Sequence, residues 1–247
     1  MLAPLFTYPK VDMANKVLIM GHPGTGKTSS LRNLDPVSTF IICPDEKALP
    51  FKGWKNNYKT VLGENGKIDL AKTNFYRTTS PQVVKTLLKA ISETKLETKV
   101  IVIDTITSTM ISELMKRMGE KGYEKFNDFA SDTYTIIKMI DGLRDDLTVV
   151  VLAHVEENYD AEGVLRVSFM VPGGKLLKEK IKVDSMFTTV LYTEVEVKDS
   201  KPSYYFLTQN NGKNSCKSPE GMFTELRIPN DLKVVLETMR TYEESNN

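Results

Sequence analysis

Cysteine is scarce in this 247-residue chain: Cys43 and Cys216 are the only two, far apart and without metal-ligand spacing. That argues against a disulfide scaffold or a zinc site, so the expectation is two ordinary buried or half-buried thiols in a reducing cytoplasm. An excess of one charge is also missing. Lys and Arg number 33 against 32 Asp and Glu, so no global field draws the protein onto nucleic acid or a membrane. Polyanion binding has to come from a local patch or from assembly of several subunits. Long apolar runs are lacking too: the N-terminal MLAPLFTYPKVDMANK holds none of signal-peptide length, and no later segment approaches a membrane span. The expectation is a cytoplasmic protein without a membrane partner. Internal repeats and low-complexity stretches are absent, apart from a polar C-terminal TYEESNN read as a frayed tail.

What is present is a composition of 40% apolar and 26% charged residues, ordinary for a chain with one sizeable core. Apolar runs and turn residues map the order of elements. KVLIM (16–20) is a buried-strand pattern that runs into a glycine loop, and TSSLRNL after it opens a helix. TFIIC (39–43), ended by Pro44, is a second buried strand, and residues 74–79 make a third, edge-like one. PQVVKTLLKAISE (81–93) has helical spacing with proline at its start. VIVID from Val100 is unbroken and β-branched, as strands buried on both faces tend to be. A helical region at 106–118, a polar glycine-containing stretch GEKGYEKFNDFAS, a further helix to Leu143 and the buried strand TVVVLA (148–153) follow. FTTVLYTEVEV and SYYFLTQ, separated by KDSKP, alternate in polarity and read as an antiparallel hairpin, with Lys198 and Lys201 on its solvated turn. The fold class is therefore α/β: a mostly parallel sheet flanked by helices, extended by antiparallel C-terminal strands. Residues 1–14 form an N-terminal segment, 15–240 the domain and 241–247 the tail.

Gly21, Gly26, Lys27 and Thr28 match G-x-x-x-x-G-K-[ST], between a predicted strand and a predicted helix, which is the setting the motif requires. The loop Gly21, His22, Pro23, Gly24, Thr25, Gly26, Lys27, Thr28 and Ser29 can then cradle nucleotide phosphates. Backbone N–H groups and the helix N-terminus face the β-phosphate, Lys27 reaches the β- and γ-phosphates, and the Thr28 hydroxyl ligates Mg²⁺. ATP and Mg²⁺ are the expected ligands. Asp104 ends VIVID at the same sheet edge and reads either as a metal-holding carboxylate or as a cap of the next helix. Hydrolysis also needs a group to orient or deprotonate water. The residue after Asp104 is Thr105 and not glutamate, so the candidates are Asp45 and Glu46 in CPDEKAL, which composition alone reads as a solvated turn.

Taken together, these pieces resemble the RecA-type branch of P-loop ATPases. More narrowly, they resemble the compact RecA-like ATPases of phages that act in single-strand annealing and recombination. The resemblance spans residues 16–223 and implies a RecA-like P-loop NTPase core. DEKAL puts Glu46 where the family has its catalytic glutamate, and Asp104-Thr105 stands where the family's strand ends Asp-Ser. His154, after TVVVLA, takes the place of the γ-phosphate sensor that leads into a DNA-binding loop, and PGGKLLKEKIKVDSMF from Pro172 resembles the end of that loop. NGKNSCKSP sets Lys213 and Pro219 at the spacing of the segment that reaches a neighbouring subunit's ATP. Two departures stand out. Glutamine is usual where His154 is, and Ser215 replaces a second lysine, which leaves Lys213 or Lys217 for the role across the interface.

The resemblance implies ATP hydrolysis, single-stranded DNA as partner, a homo-oligomeric ring or filament, and other replication or recombination proteins as further partners. Full-length recombinases carry additional N- and C-terminal domains that these residues lack, which favours annealing or a helper role over strand exchange. Lys121, Tyr123, Lys125 and Phe126 interleave cations and aromatics where the family has its first DNA loop; they read equally as an exposed turn with aromatics tucked inward. In the second loop, Glu156, Glu157, Asp160 and Glu162 suit a solvated hairpin tip or a partner surface, leaving Arg166, Lys175 and Lys178 as backbone contacts. Phe6 and Tyr8 are candidates for docking on a neighbouring subunit. Two rival functions remain: a nucleotide-dependent switch or scaffold with a protein partner, favoured by the acidic loop, and a hexameric helicase-type motor.

Overall fold

Four unbroken apolar runs form the middle of the molecule because each must remove both of its faces from water. The computed structural model describes residues 13–122, 124–171 and 182–245. Along the chain come β1 (Asn15–Met20), a 3-10 helix (Thr28–Asn33), β2 (Thr39–Cys43), α1 (Trp54–Asn57), β3 (Phe75–Arg77), α2 (Pro81–Thr94) and β4 (Val100–Asp104). Then follow α3 (Ile106–Lys116), α4 (Glu124–Ile140), β5 (Thr148–Ala153), the hairpin β6 (Val155–Tyr159) and β7 (Leu165–Phe169), and a second 3-10 turn (Val183–Met186). β8 (Thr189–Lys198), β9 (Lys201–Leu207), β10 (Arg227–Pro229) and α5 (Leu232–Ser245) complete the order.

Eight strands form one sheet in the order β10-β9-β8-β1-β5-β4-β2-β3, and β6–β7 is a separate hairpin. The pairs from β8 through β3 run parallel; β9 and β10 add antiparallel. The expected α/β core with antiparallel C-terminal strands is present. β8 itself joins β1 in parallel, so the hairpin is anchored directly beside the strand that leads into the glycine loop.

The period-2 alternation of a strand divides the core into two layers. Leu18, Met20, Ile101, Ile103, Val149 and Val151 face α2, α3 and α4. Val17, Ile19, Val102, Val150 and Leu152 face the 3-10 helix and α5. α2 starts as its sequence dictates: the Ser80 side chain accepts from the Val83 N–H, and Pro81 stands at the first turn. Cys43 and Cys216 are free buried thiols, pushed by that burial up to about 11 and about 12. Among the described residues no helix is long and apolar enough to cross a membrane.

Two expectations change. The stretch GEKGYEKFNDFAS is not a loop throughout, since α4 begins at Glu124 inside it. The C-terminal residues are not a frayed tail as far as Ser245: α5 buries Leu232, Val235 and Met239 against the sheet and continues to that residue.

Candidate functional site

All the parallel strands end at one edge of the sheet, and the glycine loop, Asp45, Asp104 and His154 each follow or end one of them. Gly21 leaves β1 with its N–H donating to Ala153 O at 3.2 Å. Gly24 (φ 79°) and Gly26 (φ 96°) take left-handed conformations that turn the loop back on itself. A neighbouring strand braces it. Thr25 Oγ1 lies 2.5 Å from Thr193 Oγ1 of β8 and donates to His22 O at 2.7 Å. A Cβ on Gly21 would sit 1.8 Å from that Thr193 oxygen, so only glycine fits there. Lys27 is buried, and its Nζ donates to the carbonyls of Gly21 (2.7 Å) and His22 (2.8 Å). Burial lowers its ammonium to about 8, against the opposing pull of Asp104.

Asp104 is wholly buried and is not a helix cap: Thr105 occupies that position. Thr28 Oγ1 donates to Asp104 Oδ1 at 3.0 Å, while Oδ2 is buried with no hydrogen-bond partner among the described residues. Burial, the largest influence, pushes the carboxyl up to about 6 despite the nearby Lys47 cation and the Thr28 hydrogen bond. A hydroxyl and an orphaned carboxylate oxygen side by side fit a hard divalent cation, which takes oxygen ligands. Thr28 and Asp104 are therefore the residues that would hold Mg²⁺, and its charge would neutralise the phosphates beside it.

The loop after β2 divides its two carboxylates sharply. Asp45 Oδ1 accepts from the Thr105 N–H (3.3 Å), the Thr105 hydroxyl (2.7 Å) and the Ser108 hydroxyl, while Lys47 Nζ donates to Oδ2. Burial alone would raise this carboxyl, but the hydrogen bonds from Lys47, Ser108 and Thr105 outweigh it and hold it at about 2. Glu46 is exposed on a left-handed residue (φ 53°), with no side-chain hydrogen bond or ion pair among the described residues. Lys47 was not singled out by sequence, yet it faces the phosphate loop. A cleft of about 270 Å³ is lined by Gly26, Lys27 and Thr28 of the phosphate loop together with Lys47, His154 and, from β9, Tyr204. Pro23, Gly24 and Ser29 line it too. A larger cleft of about 820 Å³ lies at the opposite sheet edge, where Asn15, Thr39, Val100 and Thr148 begin their strands, away from every phosphate-binding element.

His154 reaches the cleft from the end of β5. Its backbone N–H donates to Thr107 Oγ1 at 3.1 Å, and its ring Nδ1 is buried without a hydrogen-bond partner among the described residues. Burial, reinforced by Lys27, lowers its pKa and so disfavours the charged imidazolium. Lys213 is exposed and does not line the cleft of its own chain; its carbonyl accepts from Val167 N at 2.7 Å, which ties it to β7. His22 Nε2 lies 2.7 Å from Glu157 Oε1, joining the phosphate loop to the acidic β6–β7 hairpin.

The nucleic-acid candidates fare differently. Lys121 is exposed. Lys125 is a structural strut: it is buried, and its ammonium donates to the carbonyls of Arg117 (3.2 Å) and Glu120 (2.7 Å) just past α3, where carbonyls need donors. Phe126 packs against the core and meets Phe129 edge-on at 6.1 Å, so it is no open stacking platform. Arg166 is engaged by Asp160 at 2.7 Å and by Gly212 O. Phe6, Tyr8, Tyr123, Pro172, Lys175 and Lys178 lie outside the described residues.

A family model described as an AAA domain matches residues 13–219. Solved structures similar to the chain include a KaiC-like protein of the archaeon Pyrococcus horikoshii, with 14% identity and a TM-score of 0.45 over 88% of this chain and 85% of that one. Another is the flagellar accessory protein FlaH of Methanocaldococcus jannaschii, with 12% identity and a TM-score of 0.41 over 87% and 84%. A search of the curated proteins found no match. The family match takes in the glycine loop, Asp104 and His154, and with the geometry of those residues it is conclusive: the chain belongs to the AAA-domain family of P-loop NTPases.

Proposed function

We propose that this protein is a Mg²⁺-dependent ATPase that binds single-stranded DNA as a homo-oligomer and promotes annealing or recombination, as the phage-type RecA-like ATPases do. The observation that carries the hydrolytic part is the division of labour in the β2 loop. Asp45 is locked by four donors and held at about 2, which makes it a poor proton acceptor, while Glu46 beside it has no partner among the described residues. Glu46 faces solvent next to the cleft-lining Lys47 and does not itself line the cleft, so it is the free carboxylate of this loop that, on turning toward bound ATP, takes the proton of the attacking water as the new P–O bond forms and the bond to ADP breaks. Lys27 serves the β- and γ-phosphates. The His154 imidazole senses the γ-phosphate, and the exposed Lys213 acts on the ATP of a neighbouring copy. The His22–Glu157 contact favours a second reading, in which the phosphate loop signals through the acidic hairpin to a protein partner. ATP turnover measured with and without single-stranded DNA separates the two. Strong stimulation is the expected result; a rate unchanged by DNA would favour the switch.

A further inference from the structure

At the β3 edge of the sheet, outside the ATP cleft, an open groove of about 680 Å³ runs between α1 and β3. Half-buried Trp54 and Tyr76 line it together with exposed Lys55, Lys59 and Arg77, and no carboxylate is among its lining residues. Cations and rings are interleaved here: Lys55 Nζ lies 6.0 Å from the Trp54 ring centroid, and the Arg77 guanidinium 5.4 Å from that of Phe75. Among the described residues none of these three cations is paired with a carboxylate, whereas Arg166, Lys85 and Arg117 all are. In a chain of net charge +1, three unneutralised cations in one acid-free groove form a local field.

We propose that this groove is the binding site for single-stranded DNA, with a base stacked on Trp54, which shares its face of the sheet with Phe75 while Tyr76 packs on the other layer, and phosphates held by Lys55, Lys59 and Arg77. Aromatic faces beside a positively charged track are what an unpaired strand requires, because every exposed base offers a π-face and every linkage a negative charge. Paired bases keep their faces stacked inside the helix, so a duplex gains only the charge. The groove also adjoins the nucleotide site, since Ala48 lines both it and the ATP cleft. A strand in the groove and ATP in the cleft therefore touch the same loop, the one that carries Asp45, Glu46 and Lys47. This site rests on the DNA-binding part of the function proposed above.

Trp54 is the only tryptophan of the chain, so its emission reports on the groove directly. The test titrates the full chain, with ATP and Mg²⁺, with oligo(dT), following Trp54 fluorescence and, separately, the anisotropy of labelled oligo(dT). The expected result is quenching of Trp54 on binding. Lys55→Ala/Lys59→Ala/Arg77→Ala should weaken binding at least tenfold at low salt and flatten the slope of log affinity against log salt by about 2, the loss of three phosphate contacts on a single strand. Its affinity for a fluorescent ATP analogue should stay that of the wild type, and Lys121→Ala should bind oligo(dT) like the wild type. Binding seen by anisotropy with unchanged Trp54 emission and an unaffected triple variant would overturn the groove and leave the proposed function standing. No binding of oligo(dT) by the wild type would overturn the DNA-binding reading itself, and the groove with it.

Discussion

Asp45→Asn removes one charge from the joint that fastens the β2 loop to the start of α3. Folding lowers this carboxyl from 3.8 to about 2, through hydrogen bonds from Lys47, Ser108 and Thr105 that outweigh its burial. At ~1.36 kcal/mol per pH unit, the ionised side chain contributes about 2.4 kcal/mol at pH 6. The folded value lies below the unfolded one, so this contribution is complete well above the unfolded value and is lost as pH falls through the folded one. Roughly half of it remains at pH 3 by the same relation. Asparagine keeps an oxygen that can accept from Thr105 and Ser108, but it loses the ion pair with Lys47. Urea unfolding of the nucleotide-free protein should therefore show a deficit of about 2 kcal/mol for the variant at pH 6, shrinking to about 1 kcal/mol at pH 3. A variant as stable as the wild type at pH 6, or a deficit of equal size at both pH values, would refute the reasoning.

Asp104→Asn should remove most of the Mg²⁺-dependent tightening of nucleotide binding, a loss of about tenfold or more, read by titrating fluorescent ADP with and without the metal. Lys125→Ala should cost about 2 kcal/mol in urea unfolding by leaving the Arg117 and Glu120 carbonyls without their charged donor, yet leave oligo(dT) affinity unchanged. Gly21→Ala should destabilise the protein by about 1–3 kcal/mol through collision with the Thr193 and Thr25 hydroxyls, and adding Thr193→Ala should restore part of the loss in thermal melts, the Thr25 oxygen still lying 2.8 Å from the added Cβ.

The central strands and the phosphate loop were legible in the sequence because their signals are local. VIVID and TVVVLA can only be buried, and a glycine loop between a strand and a helix has few other uses. Asp104 was legible as one of two roles, and the fold removes the cap reading by giving that position to Thr105. Lys47 was missed because its importance is tertiary: nothing in DEKAL says that the lysine, held by Asp45, turns toward the glycine loop while Glu46 faces solvent. Lys125 and Phe126 look like nucleic-acid contacts because sequence shows their types and not their partners. Once α4 starts at Glu124, that turn of helix buries the lysine against α3 and the ring against the core. The groove at β3 was hidden for the same reason, its cations lying on two segments, 54–59 and 75–77, that only the sheet brings together.

The most direct test of the account is the ATP turnover of Glu46→Gln, with ATP affinity measured on the same preparation. Glu46 is exposed, so the variant should fold and bind ATP as the wild type does, while turnover falls about a hundredfold or more through loss of the proton acceptor. Turnover equal to that of the wild type would contradict the assignment of the catalytic carboxylate, and with it the picture of a β2 loop in which Asp45 anchors and Glu46 acts.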